Sequence, residues 1–488
     1  MVYYSTRSKK NIRTPSQAIV EGIAPDGGLY LPEQFPVFPM ERLLTMSGTD
    51  ISVEVLSLLL DDFSKSELNA LVHAAYDNSF DNGEIAPIKP VGDHYVMELW
   101  HGPTCAFKDV ALQLLPHLLT TAAKKCGVRD EICILTATSG DTGSAALAGF
   151  SGVEGTRIIV FYPDGGVSPM QKRQMVTCPG RNTSVCAIKG NFDDAQSGVK
   201  RIFAEQTPPE GMRFSSANSI NIGRLAPQIA YYFTAYRDLL KLSKISFGDR
   251  VNFVVPTGNF GDILAGYFAK KMGLPVGTLV SASNENRVLA DFFDSGIYDR
   301  RREFHLTSSP SMDILISSNL ERLIALVCGE EKTACYMKDL REKGIYQIEK
   351  DALDTIKAEF SAAWVNRKET AETIKTLFDT TGYLADPHTA VGICAMNKWL
   401  AEEENADAAP TVVLSTASPY KFTRHVLASL GEPTTEDEFA DVKRLEAISG
   451  VPIPGSLSSL EESTVRHKDV VSIEKMPDYV MQKIQEAI

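Results

Sequence analysis

The sequence lacks several features that mark common protein classes. Its eight cysteines form no Cys-x-x-Cys pair and no set with histidine at metal-ligand spacing, so we expect neither a zinc site nor a disulfide framework. No run of about 18 apolar residues occurs, and residues 1–10 are polar and basic, without the apolar core of a signal peptide. The sequence therefore predicts a globular cytoplasmic protein with reduced thiols, no bound metal and no membrane partner.

Positive charge is also scarce. Lys and Arg total 49 against 62 for Asp and Glu, which gives a formal net charge of -13. This balance argues against a nucleic-acid partner, because surfaces that bind phosphate backbones are basic. The sequence contains no Gly-Lys-Ser/Thr phosphate loop and no Gly-x-Gly-x-x-Gly after a predicted strand, so ATP binding and a dinucleotide-dependent oxidoreductase lose support.

What the chain does contain is a repeated alternation of short apolar strands and helices. Strands are predicted at 132–136, 157–162, 184–188, 214–219, 251–256, 278–282 and 412–414, and helices at 143–150, 168–176, 193–205, 223–242 and 262–272. This alternation predicts an α/β fold with two αβα domains and mostly parallel sheets. We place a mainly helical N-terminal region at 1–95, one αβα domain at 96–215 and a larger one at 216–488, with a helical insertion around 304–372. The strand at 412–414 is predicted to be the final buried strand.

One lysine stands at the start of an apolar helix. Gly102-Pro103 interrupts regular structure, and apolar residues then recur at helical spacing from 111 to 119, so Lys108 is predicted in the first turn of a buried helix. Burial disfavours an ammonium ion, so such a lysine either pairs with an anion or acts as a neutral nucleophile able to form a Schiff base. The alternative is a lysine whose stem packs on apolar neighbours while its head group reaches water.

Two loops of small residues each follow a predicted strand and open a helix. Their backbone amides and the positive end of the helix dipole are suited to an anion. The first loop contains Thr138, Ser139, Asp141 and Thr142, and the second contains Gly258, Asn259, Phe260, Gly261 and Asp262. The two glycines of the second loop allow the close backbone approach that a cofactor monophosphate needs. For each loop, the alternative is an ordinary capped turn.

Two further stretches present polar groups near predicted strand ends. Residues 216–224 include Asn218, Ser219 and Asn221 and end in Arg224, whose fork of donors matches phosphate oxygens. Thr416 follows the strand at 412–414 and offers a hydroxyl to a ring nitrogen or to nearby backbone. A nucleophilic amine, two anion sites, an arginine and a hydroxyl are together what pyridoxal 5'-phosphate and an anionic substrate require.

These same residues carry a resemblance to a known family. The chain resembles the threonine synthases, which are pyridoxal-phosphate enzymes of fold type II, in stretches that run nearly end to end. The matching stretches are Tyr4-Ser5-Thr6-Arg7, 22–29, His101-Gly102-Pro103-Thr104, Phe107-Lys108-Asp109, 138–143, 216–224 and 256–262. The resemblance implies a fold like that of the tryptophan synthase β chain.

The resemblance also implies a role for each candidate residue. Lys108 is expected to hold pyridoxal 5'-phosphate covalently, with Gly258, Asn259, Phe260, Gly261 and Asp262 around the cofactor phosphate and Thr416 at the pyridine nitrogen. Thr138, Ser139, Asp141 and Thr142 are expected to take the substrate carboxylate, and Asn218, Ser219, Asn221 and Arg224 the substrate phosphate. The implied reaction converts O-phospho-L-homoserine and water to L-threonine and phosphate, with Lys108 moving the protons, in a monomer or homodimer.

One position departs from the family pattern: Ser418 stands where the family commonly has histidine. Asp141 follows the family, which usually differs here from other fold type II enzymes that carry an asparagine near the 3'-oxygen of the cofactor. Two other functions stay open. One is a pyridoxal-phosphate lyase that releases phosphate without adding water at Cβ; the other is a catalytically silent binding protein, against which the retained Lys108 and both loops argue.

Overall fold

Strands and helices alternate along most of the chain in the computed structural model, which describes residues 1–402 and 409–486. The strands are β1 (Tyr3–Ser5), β2 (Ser8–Arg13), β3 (Tyr30–Pro32), β4 (Ile88–Val91), β5 (His94–Glu98), β6 (Glu131–Ala137), β7 (Thr156–Pro163), β8 (Thr183–Lys189), β9 (Met212–Ser215), β10 (Val251–Pro256), β11 (Val276–Ser283), β12 (Ile297–Asp299), β13 (Ile345–Gln347), β14 (Phe360–Trp364), β15 (Thr411–Ser415) and β16 (Asp469–Ser472).

The α-helices lie between and around these strands. They are α1 (Pro15–Glu21), α2 (Gly48–Leu59), α3 (Lys65–Tyr76), α4 (Lys108–Lys125), α5 (Asp141–Phe150), α6 (Pro169–Val176), α7 (Phe192–Glu205), α8 (Ile222–Lys241), α9 (Gly261–Lys271), α10 (Val288–Ser295), α11 (Leu320–Cys328), α12 (Glu330–Glu342), α13 (Lys350–Lys357), α14 (Arg367–Thr381), α15 (Pro387–Leu400), α16 (Thr423–Leu430), α17 (Glu438–Ser449), α18 (Gly455–Ser458) and α19 (Met476–Gln485). No helix of the described residues is long and apolar enough to cross a membrane.

The first large sheet has five parallel strands in the order β16-β8-β7-β6-β9. Its central strand β7 buries all of its residues, as expected of a parallel strand covered on both faces. Helices α5 and α7 contact this sheet. The predicted strands at 132–136, 157–162 and 184–188 lie within β6, β7 and β8, so this half of the α/β prediction is confirmed.

The second large sheet has six strands in the order β14-β11-β10-β15-β5-β4. All neighbours are parallel except the edge strand β4, which runs antiparallel to β5. Strands β10 and β15 are neighbours, and every residue of both is buried. The loops that follow them, which contain Gly258 and Thr416, therefore leave the same edge of the sheet.

The N-terminal region contains more strand than the sequence predicts. Helices α2 and α3 are present, and Ser64 caps α3 with a reciprocal bond to Glu67, as the capping pattern indicates. A small antiparallel sheet of order β2-β1-β3 precedes and packs with these helices. Strands β1 and β3 have three residues each, too few to show an alternating pattern.

The chain crosses between the two large sheets near both of its ends. Strand β5 joins the six-stranded sheet, and β16 joins the five-stranded sheet beside β8. The strand predicted at 412–414 is the final buried strand, as expected, and only the short, half-exposed β16 follows it among the described residues. The insertion around 304–372 is helical in α11 to α13 but also supplies the edge strand β14. The domain boundaries placed at residues 95 and 215 stay a prediction.

Candidate active site

Lys108 is the first residue of α4, as predicted. The turn before the helix is tight: Cys105 has a left-handed φ of 56°, and a Cβ at Gly102 would lie 2.6 Å from the Cβ of Asp109. Asp109 fixes this turn by accepting hydrogen bonds from the Thr104 N–H at 2.9 Å and the Thr104 hydroxyl at 2.6 Å. The local sequence thus builds a rigid turn that presents Lys108.

The Lys108 amine lies among polar groups from distant parts of the chain. Its Nζ is 2.9 Å from Ser311 Oγ and 3.5 Å from Asp141 Oδ2, and its side chain is 11% exposed. Burial lowers the pKa of Lys108; Asp141 opposes that shift, and the positive charges of Lys421 and Arg224 add to it. The simple packing alternative does not describe this environment, because the amine faces a carboxylate and a hydroxyl.

Asp141 begins α5 and accepts four polar contacts. Its Oδ1 is 2.7 Å from Lys421 Nζ and 2.9 Å from Gln171 Nε2, and its Oδ2 is 3.2 Å from Ser311 Oγ. Burial alone would raise the pKa of Asp141, but the charges of Lys421 and Lys108 hold it far below its usual value. Asp141 is therefore an ionised carboxylate inside the protein.

The loop before α5 is held by its own backbone. The Thr138 hydroxyl accepts from the N–H groups of Gly140 and Gly143, both at 2.9 Å, so this side chain supports the loop. Gly140 has φ 141°, and a Cβ there would lie 2.3 Å from the Gln171 side chain. Ser139 and Thr142 are half-buried. Their role at a substrate carboxylate stays a prediction.

The loop after β10 has the form of an anion site. Phe260 takes a left-handed φ of 62°, and a Cβ at Gly258 would lie 2.4 Å from the Ser311 carbonyl oxygen. Among the hydrogen bonds of the described residues, none uses the N–H groups of Gly258, Asn259 or Phe260 as donors. Three free amides beside the start of α9 suit a phosphate.

Asp262 follows this loop, and its carboxyl group is engaged by neighbouring tyrosines. Oδ1 accepts hydrogen bonds from Tyr231 and from Tyr232, the latter at 3.1 Å. Burial raises the pKa of Asp262 to about 7, while the two tyrosine hydroxyls act in the opposite direction. The side chain thus ties α9 to α8, and a contact between Asp262 and the cofactor stays a prediction.

Some polar side chains at the loop that opens α8 are bonded within the fold, and others keep free atoms. Asn221 caps the helix by accepting from the Gly223 N–H at 2.8 Å and donates to the Ile19 carbonyl at 2.9 Å. Buried Arg224 donates to the Ala217 carbonyl at 2.6 Å, yet its Nε and the Ser219 hydroxyl have no partner among the described residues. Burial lowers the pKa of Arg224 to about 10. Arg224 and Ser219 thus keep free polar atoms, exposed Asn218 lies beside them, and Asn221 is committed to the fold.

The end of β15 lies directly beside the lysine. The Phe107 N–H donates to the Thr416 carbonyl at 2.8 Å, which brings buried Thr416 close to the residue before Lys108. The place of its hydroxyl at the pyridine nitrogen stays a prediction. Ser418, the position that departs from the family pattern, caps the short helix Pro419–Phe422 by accepting from the Tyr420 N–H at 3.3 Å. Ser418 therefore has a structural role here.

Four residues at the site were not found from the sequence. Ser311 and Lys421 contact Asp141, and His388 Nε2 accepts from the Ser311 N–H at 3.2 Å while its Nδ1 is 2.7 Å from Asp386. Asn319 donates to the carbonyls of Ser219 at 3.3 Å and Asn259 at 3.0 Å. Of the four, only His388 lies near a recognisable pattern, because Asp386-Pro387 just before it is typical of a helix start.

Comparison with known proteins agrees with this geometry. The family described as "Pyridoxal-phosphate dependent enzyme" matches residues 89–417, and those described as "Threonine synthase N terminus" and "Threonine synthase, C-terminal" match 2–76 and 389–476. Threonine synthase from Pseudomonas aeruginosa is 37% identical over 96% of this chain and 98% of its own. The yeast enzyme is 37% identical over 86% of this chain and 87% of its own.

Solved structures give the same result. The PLP-bound threonine synthase from Brucella melitensis superposes with a TM-score of 0.88, at 36% identity, over 100% of both chains. The fold and the lysine-centred site define a pyridoxal-phosphate-dependent enzyme of fold type II. Within that class, the chain belongs to the threonine synthase family.

Proposed function

We propose that this protein converts O-phospho-L-homoserine and water to L-threonine and phosphate. The proposal is carried by the position of the buried Lys108 amine in a site that also contains the loop after β10 and the loop before α8, both of which keep free donors for an anion. Asn319 ties the loop after β10 to the loop before α8 through the Asn259 and Ser219 carbonyls, so the two loops have a fixed separation. Two anion sites together with the Lys108 amine fit a phosphorylated cofactor and a phosphorylated substrate.

The residues present fit pyridoxal 5'-phosphate. The free amides of Gly258, Asn259 and Phe260 would hold its phosphate, and a larger residue than Gly258 would meet the Ser311 carbonyl. Lys108 would hold its aldehyde, and Thr416 would lie at its ring nitrogen. When bound, the cofactor withdraws electron density from the substrate carbons that lose protons.

Lys108 supplies the proton transfers. Burial lowers the pKa of Lys108, which favours the neutral amine that a general base requires. In this role its Nζ takes a proton from the substrate Cα and then one from Cβ. It later returns one proton to Cγ, once phosphate has left, and one to Cα as water adds at Cβ. Ser311 Oγ, 2.9 Å away, orients the amine through these steps.

Arg224 is placed to hold the phosphate that leaves from Cγ. Its guanidinium is buried and keeps one nitrogen, Nε, without a partner among the described residues. A buried donor without an acceptor is costly unless a ligand completes it. The Ser219 hydroxyl is also buried without a partner among the described residues, and the exposed Asn218 adds a side-chain amide. These groups form the phosphate end of the proposed substrate site.

The proposal extends to partners and compartment. The protein acts on a small molecule, as a monomer or homodimer, in the cytoplasm. All eight cysteines are free thiols, which fits a reducing compartment.

Purified protein loaded with pyridoxal phosphate tests the proposal when O-phospho-L-homoserine is added. We expect phosphate and threonine in equal amounts, and we expect Lys108→Ala to lose the cofactor band near about 410 nm and at least about a hundredfold in rate. Release of phosphate with 2-oxobutyrate and no threonine would instead identify a lyase. An absent cofactor band together with no phosphate release would identify a binding protein.

A further inference from the structure

A second buried lysine lies in the site. Lys421 follows β15 on the short helix Pro419–Phe422, and its side chain is 0% exposed. Its Nζ is 2.7 Å from Asp141 Oδ1 and donates to the Thr104 carbonyl at 2.7 Å. A buried ammonium is retained only where such partners compensate for the loss of water. The Asp141 carboxylate is that partner, so the two residues form a buried ion pair.

Asp141 is consequently shared between two amines. The contact with Lys421 uses Oδ1 at 2.7 Å, whereas the contact with Lys108 uses Oδ2 at the longer distance of 3.5 Å. The shorter contact belongs to the lysine that has no proposed chemical step. When Lys108 gives up its positive charge, Asp141 therefore keeps a cationic partner.

The geometry points to Lys421 as a positioning residue that frees Lys108 from Asp141. Without Lys421, the buried carboxylate would have Lys108 as its nearest cation and would hold the Lys108 proton in place. With Lys421 present, the carboxylate is compensated and a second positive charge disfavours protonation of Lys108. This inference rests on the proposed function, because it matters only if Lys108 must alternate between charged and neutral forms.

Other charged groups face the same space. The charge of Arg224 lowers the pKa of Lys108, as the charge of Lys421 does. The charge of Lys108 in turn lowers the pKa of the Asp262 carboxyl group. His388 acts on Asp141, and Asp109 interacts with Lys421. Lys421 differs from these groups in its contact with Asp141. Among the described residues, the Asp141 carboxylate has only two cations at ion-pair distance, Lys108 and Lys421.

Three substitutions separate the charge of Lys421 from its hydrogen bond. Lys421→Gln keeps a donor for the Thr104 carbonyl and removes the charge, Lys421→Met removes both, and Lys421→Arg keeps the charge. The readout is the absorption band of the cofactor in the intact holoenzyme, recorded between about pH 6 and 10 in order to follow its titration. We expect the midpoint to rise by about one pH unit in the Gln and Met variants and to stay near the wild-type value with Arg.

Lys443, which is 62% exposed and paired with Glu461, provides the control: Lys443→Gln should leave the midpoint unchanged. If Lys421→Gln matches the wild type while Lys421→Met does not, the hydrogen bond matters and the charge does not, so the inference is wrong. Asp141→Asn covers the case in which the Lys421 variants fail to fold; it should lower the midpoint, and an unchanged midpoint would overturn the inference.

The titration needs no substrate. If the Lys421→Gln midpoint shifts but the wild type makes no threonine, the proposed function is wrong and the role of Lys421 stands. If the midpoint does not shift and the wild type makes threonine, the proposed function stands and the role of Lys421 is wrong.

Discussion

At the scale of single residues, the site depends on side chains that reach Lys108 from far along the chain. Ser311 is 203 positions away, yet its hydroxyl lies 2.9 Å from Lys108 Nζ and donates to Asp141 Oδ2 at 3.2 Å. Lys108 and Asp141 are both candidate site residues on the sequence alone, and the structure brings them to within 3.5 Å of each other. The sequence could not predict Ser311, because one serine among several in a polar loop has no pattern that reveals its long-range partner.

Removing the Ser311 hydroxyl tests its contact with Lys108. A hydrogen bond to a charged group contributes about 1.5–3 kcal/mol, so we expect Ser311→Ala to lower kcat/KM about tenfold to a hundredfold. Steady-state phosphate release measures the effect. Ser308→Ala is the matched control, since the Ser308 side chain makes no hydrogen bond among the described residues. Equal rates in the two variants would contradict the role of Ser311.

At the scale of elements, helices α8 and α9 are joined by a carboxyl group that titrates. Burial raises the pKa of Asp262 to about 7, so the folded protein keeps a proton that the unfolded chain releases near 3.8. The resulting stabilisation is complete below about pH 4 and is lost as the pH rises through about 7. Asp262 thus makes the junction of the two helices weaker at neutral pH than in mild acid.

Asp262→Asn removes this titration and keeps an acceptor for Tyr231. Between about pH 5 and 7, we expect the free energy of unfolding of the wild type to fall relative to that of the variant, by an amount on the order of a few kcal/mol. Urea unfolding of both proteins at several pH values measures the difference. A difference that stays constant across this range would show that Asp262 does not titrate there.

The loop between β10 and α9 offers a matched pair of glycines. A Cβ at Gly258 would lie 2.4 Å from the Ser311 backbone oxygen, whereas one at Gly261 would lie 3.4 Å from the Asn319 side chain. We expect Gly258→Ala to weaken cofactor binding at least about tenfold, because the clash costs typically 1–3 kcal/mol. Gly261→Ala should bind nearly normally. Titration of the apoprotein with pyridoxal phosphate measures both, and similar affinities would refute the steric argument.

Element prediction succeeded for the fully buried central strands and missed the internal strand β5 and the edge strands β14 and β16. The predicted strand 251–256 has the same limits as β10, whose residues are all buried and apolar enough to form one continuous run. Strands β14 and β16 were missed, because their residues are partly exposed and contain several small or polar side chains. An edge strand is specified by its neighbour more than by its own sequence.

At the scale of the whole molecule, the C-terminal helix α19 closes the five-stranded sheet formed mostly by the first half of the chain. Met476, Tyr479 and Val480 are buried against residues of β6, β7 and β8. Arg157 of β7 donates to the Lys483 carbonyl at 2.6 Å. The order of strands along the chain predicted an α/β fold, but it could not show that the C-terminus returns to the first sheet.

Met476→Ala tests this closure. The side chain is 0% exposed, so we expect the free energy of unfolding to fall by about 2–5 kcal/mol. Met481→Ala, in the same helix but only partly buried, should cost clearly less. Denaturant unfolding compares the two variants. If both cost the same, α19 contributes little through this contact.

The contacts of α11 bear on how relatives of this chain are recognised. Glu321 accepts hydrogen bonds from Thr6 at 2.5 Å and from Arg7 at 2.8 Å, and Arg322 donates to the Tyr30 carbonyl at 2.9 Å and to the Ile220 carbonyl at 2.6 Å. The N-terminal motif Tyr4-Ser5-Thr6-Arg7 therefore braces the scaffold behind the substrate loop. None of these contacts involves Lys108. The motif thus reports on the architecture of the chain and not on its chemistry, so its presence alone does not identify an active enzyme.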